Sequence, residues 1–271
     1  MTGQFRASHY KIHMYEICPK RYYFEYLDEY TSSHKKDLKK PRPQMTFGAN
    51  IHDVLKAFFK SPPSDRTQET MKAYLAEVWK TRSGKKGGFT SVAEEQELYH
   101  QADGMLSRFL KQTDLDPHIF YLPPDNSFEE FIQVPIDEQL ILGGKFDRID
   151  EEPDGTLRII DYKTGVENQD QIQIGLYAIL ASHYFRKKVH VGALWYLKTG
   201  NRKEVVCDET FQEEVMKCTR SLVEKICTSK EYEPMPSKMC AYCDYVDFCP
   251  AKKDVLQIIG QSERTSSDIP F

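Results

Sequence analysis

The chain has 271 residues, 40% hydrophobic and 29% charged, which suits one large globular domain or one domain with additions. A net charge of -4 and a pI near 6.1 exclude the strongly basic composition that marks a general nucleic-acid binder by charge alone, although a pocket built of carboxylates would itself bias the total toward acid. No apolar run approaches the ~20 residues of a membrane span, and the opening MTGQFRASHYK lacks the apolar segment of a secretory signal, so no membrane partner and a cytoplasmic location are expected.

Residues 8–28 read as a helix capped by Ser8, with Ile12, Tyr15, Tyr22, Tyr26 and Leu27 on a broad apolar face and Pro19 as a kink or junction. Residues 29–46 are polar and carry Lys35, Lys36, Lys39, Lys40 and Arg42, which reads as a solvated loop or a phosphate-tracking arm. A helix over 47–60 follows, with Phe47, Ile51, Val54, Leu55, Phe58 and Phe59 on one face. Helices also fit 67–82 and 92–112, separated by the Gly/Lys loop RSGKKGGF, and 113–127 reads as connection.

The pattern then changes from helical to alternating. FEEFIQVPI, EQLILGGKFDRID and TLRIIDYKTG predict three strands of a meander, with a turn at Pro153-Asp154-Gly155. A helix is expected at 168–185, strands at VHVGALWYLKT and NRKEVVCD, and an amphipathic helix at 209–228 with Phe211, Val215, Leu222 and Ile226 on one side. The expected fold class is α/β: a mixed central sheet flanked by helices, in one domain. It comprises a helical region over 8–112, a core over 128–228, a cysteine segment over 230–251 and a polar tail over 260–271.

The segment GGKFDRIDEEPDGTLRIIDYKTG carries Asp147, Asp161 and Lys163 among apolar residues. Successive strand residues alternate faces, so Asp161 and Lys163 point one way and Tyr162 the other. Pairing through the Pro153–Gly155 turn would bring Asp147 across from them. Two carboxylates on one face make a hard oxygen site for Mg²⁺ or Mn²⁺, and such an ion can activate water toward a phosphate. A lysine alongside can stabilise charge growing on phosphate oxygens.

An odd count of seven cysteines without a secretion signal argues against a disulfide framework. Cys240, Cys243 and Cys249 are close enough in sequence to reach one metal centre, and a closed zinc site or an iron–sulfur cubane needs a fourth ligand. Cys18, followed by proline as Cys249 is, is the best candidate. Cys207, Cys218 and Cys227 read as small core residues.

GGKFDRID and LRIIDYKTG resemble the second and third motifs of the PD-(D/E)xK nuclease superfamily in its RecB-like branch, whose core is restriction-endonuclease-like. FGANIHDVL, with Gly48 and His52, resembles that branch's first motif, and Gln173 to Tyr177 its trailing Q-x-x-x-Y motif. The resemblance implies His52, Asp147, Asp161 and the Tyr162 carbonyl as metal ligands, Lys163 as the catalytic lysine, and Gln173 and Tyr177 as site-lining or DNA-contacting residues. Glu129 and Glu130 lie where they could also reach the site.

The cysteine pattern is similar to that of the iron–sulfur subgroup, which includes the AddB nuclease domain and the CRISPR-associated four-cysteine exonucleases. It implies a [4Fe–4S] cluster on Cys18, Cys240, Cys243 and Cys249. The expected function is a metal-dependent exonuclease on single-stranded DNA ends, alone or with a helicase, recombinase or integrase. The alternative is a catalytically silent DNA-end-binding subunit of a repair, recombination or CRISPR-adaptation complex.

Overall fold

The computed structural model describes residues 3–126, 129–167 and 171–262. The described residues divide into two units: 3–40 with 216–262, and Pro41–Val215.

The first unit opens with strand β1 (Phe5–Ala7) and helices α1 (His9–Ile17), α2 (Pro19–Tyr26), α3 (Glu29–Ser33) and α4 (Lys35–Leu38). Ser8 Oγ accepts from the Lys11 N–H at 3.2 Å, which caps α1 as expected. Pro19 starts α2 because proline suits the first turn of a helix and breaks its interior, so the 8–28 helix is two helices. The expected loop over 29–46 is instead partly helical. Asp28 caps α3 through the Thr31 N–H at 2.8 Å, and Pro43 starts the next helix four residues earlier than its apolar face suggested.

In the second unit, α5 (Pro43–Lys60), α6 (Gln68–Thr81) and α7 (Val92–Leu110) pack around a core of Phe47, Ile51, Leu55, Phe58, Leu75, Leu106 and Phe109. Six strands and a helix follow: β2 (Ile119–Tyr121), β3 (Ile132–Pro135), β4 (Leu140–Gly144), β5 (Arg148–Glu151), β6 (Leu157–Lys163), α8 (Ile172–Phe185) and β7 (Val189–Tyr196). Strand β8 (Asn201–Val206) and helix α9 (Glu209–Thr228) come next. The five-stranded sheet runs β2-β5-β6-β7-β8. β6 and β7 are parallel and the other pairs antiparallel, so the sheet is mixed, flanked by helices, as the sequence predicted.

The predicted strand EQLILGGKFDRID is two strands. β4 pairs with β3, β5 pairs with β6, and the chain leaves the ladder between Lys145 and Asp147. The Gly143-Gly144 pair ahead of that break is packed too closely for side chains: a Cβ on Gly144 would stand 2.9 Å from Tyr177 Cε1. The short strand β2 falls where connection was expected. Its extended form is fixed by pairing with β5, a partner distant in sequence. The expected helix over 168–185 begins at Ile172, and 168–170 lie outside the described residues.

β6 and β7 read as near-continuous apolar runs because a parallel pair is covered on both faces, and α8 supplies their crossover. A Cβ on Gly192 of β7 would stand 2.2 Å from Ile174 Cγ2, so this glycine lets α8 lie directly on the sheet.

The C-terminal part of the first unit contains the end of α9, two turns of 3-10 helix at Lys238–Tyr242 and Val246–Phe248, and α10 (Lys252–Ser262). α10 replaces the start of the expected polar tail; residues 263–271 lie outside the described residues. Met14, Tyr15, Tyr22, Ile226 and Tyr232 form this unit's apolar cluster. The buried Glu25 carboxylate accepts from Tyr245 OH at 2.6 Å and from Lys39 Nζ at 2.8 Å. No described helix is long and apolar enough to cross a membrane.

Candidate active site

Asp161 and Lys163 leave one face of β6 at its carboxyl end, the end from which the crossover to α8 departs. The β5–β6 register pairs Arg148 with Ile160, so Asp147 stands opposite Asp161. It does so from the bend before β5 and not from a strand, as the sequence had suggested. Freed from the ladder, its carboxylate turns onto the neighbouring backbone: the Tyr162 N–H donates to Asp147 Oδ2 at 2.8 Å. His52 Nδ1 of α5 lies 2.8 Å from Asp147 Oδ1. Gly48, one turn earlier, allows that approach, since a Cβ there would stand 3.2 Å from Thr164 Oγ1.

α8 closes the other side. Lys163 Nζ is 2.8 Å from Asp161 Oδ2 and donates to Gln173 Oε1. Gln173 Nε2 donates to Asp161 Oδ1 at 3.1 Å and to Tyr177 OH at 3.1 Å. Gln173 and Tyr177 share a face because they are one helical turn apart. Six of the side chains that the sequence singled out therefore fall into two hydrogen-bonded groups: His52 with Asp147, and Asp161 with Lys163, Gln173 and Tyr177.

The electrostatics are those of buried, mutually constraining charges. Burial pushes the Asp161 carboxyl above its ordinary value and Asp147 adds to this, while Lys163 opposes it. Burial pulls Lys163 down, but Asp161 and Asp147 outweigh it and hold the ammonium above its usual range. His52 is likewise desolvated, yet Asp147 raises its pKa. Asp161 Oδ2 is buried and meets Lys163 at ion-pair distance without a directed hydrogen bond. Such an oxygen, beside a second carboxylate and an imidazole, suits a hard divalent cation. Among the described residues, no three His, Cys, Asp or Glu side chains stand in a ready-made ligand arrangement; His52 pairs with Asp147 and Lys163 with Asp161.

A cleft of about 470 Å³ opens beside His52 and Asp147, lined also by Lys56, Arg82, Glu130, Lys145 and Arg148. Glu130 reaches this cleft; Glu129 is turned to Asn126, whose Nδ2 donates to it at 2.8 Å. Sequence reading missed the basic residues. Arg148 is buried, with its guanidinium 4.3 Å from the Phe59 ring centroid and donating to Asp150 Oδ2 at 2.7 Å and Tyr162 OH at 3.2 Å. The signal was present: an arginine and an acid two apart in an apolar strand share a buried face and must pair.

In the first unit, Cys18, Cys240, Cys243 and Cys249 line one cavity with Arg21, Met235 and Pro236, and none forms a disulfide. The Met235 and Ser237 N–H groups point at Cys18 Sγ and Cys240 Sγ, each at 3.4 Å. Burial pushes the Cys243 thiol up to about 11, with Cys18 and Cys240 adding to the rise, and Cys249 is raised by burial as well. Four cysteines lining one cavity are the soft ligand type a thiolate metal centre would use, although they are not gathered into a ligand arrangement here. Cys207 is buried as expected, but Cys218 and Cys227 are exposed: they lie roughly a quarter-turn to either side of the α9 stripe formed by Val215, Thr219 and Ile226.

A mixed sheet carrying an acid and a lysine at one strand end, with a second acid in the neighbouring bend and a crossover helix above, defines an α/β protein of the restriction-endonuclease-like kind. The family model described as the PD-(D/E)XK nuclease superfamily matches residues 6–250, and the chain belongs to that superfamily. Nucleases of this superfamily act on DNA and typically use Mg²⁺ or Mn²⁺. No curated protein matches the chain. Among solved structures, 18 chains match. One, described as "Crystal structure of SSO0001", is 14% identical over 91% of this chain and 86% of that chain, with a TM-score of 0.39.

Proposed function

We propose that this chain is a divalent-metal-dependent DNA exonuclease of the RecB-like branch, acting on single-stranded ends, with His52, Asp147, Asp161, Lys163 and the Tyr162 carbonyl as its working groups. The observation that carries this reading is the convergence of His52, Asp147, Asp161 and Lys163, drawn from one helix, the bend before β5 and the end of β6, on one partly buried corner. The preference for single strands and ends rests on the four-motif resemblance.

His52, Asp147, Asp161 and the Tyr162 carbonyl would hold Mg²⁺ or Mn²⁺. When bound, the ion supplies Lewis acidity and a water acidified toward neutral pH. The chain's own groups do the remaining work. Lys163, beside Asp161, is placed to donate hydrogen bonds to the phosphate oxygens or to position the attacking water. Gln173 aims that ammonium and Tyr177 aims Gln173. The Tyr162 N–H fixes the Asp147 carboxylate.

Cys18, Cys240, Cys243 and Cys249 would hold a [4Fe–4S] cluster whose role is structural, tying the two ends of the chain within one unit. Partnership with a helicase, recombinase or integrase is compatible with this reading.

The test is cleavage of linear and circular single-stranded DNA in Mn²⁺ and Mg²⁺, with ends of both polarities. Linear DNA should be degraded and circles spared, and Asp161→Ala or Lys163→Ala should reduce the rate by at least a hundredfold to a thousandfold. If both variants digest DNA as fast as the parent, the assignment fails.

A further inference from the structure

The cleft beside His52 and Asp147 contains a charge arrangement that the reaction described above does not use. Lys56 lies one helical turn beyond His52, and Lys145 two residues before Asp147, so both are tethered to residues of the catalytic corner. Both ammonium groups converge on one carboxylate: Lys56 Nζ is 2.7 Å from Glu130 Oε1, and Lys145 Nζ is 3.0 Å from Glu130 Oε2. Glu130 and Lys56 are mostly withdrawn from solvent, with 18% and 17% of their side chains exposed. Burial works against the Glu130 charge, yet the two lysine hydrogen bonds hold the carboxyl below its usual range, so it stays ionised.

The other cations of the cleft have acids of their own: Arg82 pairs with Asp53 at 2.7 Å and Arg148 with Asp150 at 2.7 Å. Lys60 pairs with Asp125 at 2.6 Å, and that acid stands 4.0 Å from Lys56. Among the described residues of the cleft, only the Lys56–Lys145 pair shares one close carboxylate and so carries a surplus of positive charge in a recess. A carboxylate offering one oxygen to each of two ammonium groups has the shape and charge of the two free oxygens of a phosphodiester.

We propose that Lys56 and Lys145 form a seat for a phosphate of the DNA strand next to the one being cut, and that Glu130 is an internal occupant which the strand displaces. The proposal rests on the nuclease reading for the identity of the strand. Glu130 is then a competitor for the seat, and removing its charge strengthens binding. A carboxylate that holds the catalytic cation would behave in the opposite way.

The experiment is fluorescence anisotropy with labelled oligothymidylates carrying a 5′-phosphate, a 3′-phosphate or neither, in Ca²⁺ so that no turnover is needed. Glu130→Gln should bind roughly fivefold tighter than the parent, the scale of one partly screened charge pair. Lys145→Ala should bind several-fold more weakly, and its slope of log affinity against log salt should be smaller by about 0.7, the value for one phosphate contact on a single strand. An effect equal on all three oligonucleotides assigns the seat to a backbone phosphodiester; an effect confined to one phosphorylated end assigns it to a terminal phosphate.

A Glu130→Gln chain that binds no tighter, or a Lys145→Ala chain with unchanged affinity and salt slope, overturns the proposal. Thermal unfolding checks both variants; should Glu130→Gln fail to fold, Lys145→Ala decides alone, since that side chain is 52% exposed and its loss leaves the packing intact. Cleavage by the parent in Mn²⁺ reads the nuclease assignment separately.

Discussion

The side-chain amide of Gln173 donates to Asp161 Oδ1 across 3.1 Å, tying the first turn of α8 to the end of β6. Because the same amide accepts from Lys163, removing it releases both the acid and the ammonium. Gln173→Ala is expected to lower kcat or metal affinity by about 10- to 100-fold, the usual effect of losing a group that orients a ligand. Steady-state rates across a Mn²⁺ titration check this, and Tyr177→Phe, which loses one donor–acceptor partner of Gln173, should fall between Gln173→Ala and the parent.

The four-cysteine cavity gives a colour test. Anaerobically purified protein should be brown, with about four iron and four sulfide per chain, and Cys243→Ser should lose both. The melting temperature should fall with the loss, since a centre absent from the unfolded chain adds its binding energy to folding. A colourless preparation with stoichiometric zinc would replace the cluster by a zinc site.

Packing under the site is read at Gly192. Gly192→Ala forces a Cβ to 2.2 Å from Ile174 Cγ2, and neither the strand nor the helix can give way cheaply. A loss of about 1–3 kcal/mol in urea unfolding is expected, the range for overpacking a filled core. Ile174 follows Gln173 in sequence, so the variant should also lose nuclease rate beyond any loss of folded protein.

Thiol reactivity separates the remaining cysteines. Maleimide at neutral pH should label the exposed Cys218 and Cys227, and spare Cys207, whose thiol burial pushes from 9.0 up to about 11. The raised value means the folded chain holds this proton more tightly than the unfolded chain. The associated stability is complete below pH 9.0 and is lost as pH rises through about 11. A Cys207→Ala variant should show a smaller alkaline decline than the parent, measured as the urea midpoint between those limits. Mass mapping of fast labelling at Cys207 in the folded chain contradicts the burial.

The sequence by itself determined the α/β class, most helices, the shared face of Asp161 and Lys163, and the facing of Gln173 with Tyr177. Each follows from a local period of 3.6 or 2 residues or from a capping residue. It also singled out the cysteine set and, through motif order, His52 and Asp147. The tertiary structure alone decided that the segment 138–150 breaks into two strands, that Asp147 sits in the bend between them, and that α10 follows the cysteines. It decided as well that Lys56 and Lys145 converge on Glu130 and that Arg148 is buried on Phe59. The strand pairings join residues 6 to 12 positions apart, and the side-chain contacts join residues 15 to 95 apart, such as Lys145 with Glu130 and His52 with Asp147. No local period encodes such pairs, because strand pairing and charge neutralisation depend on which distant groups the packed core brings together.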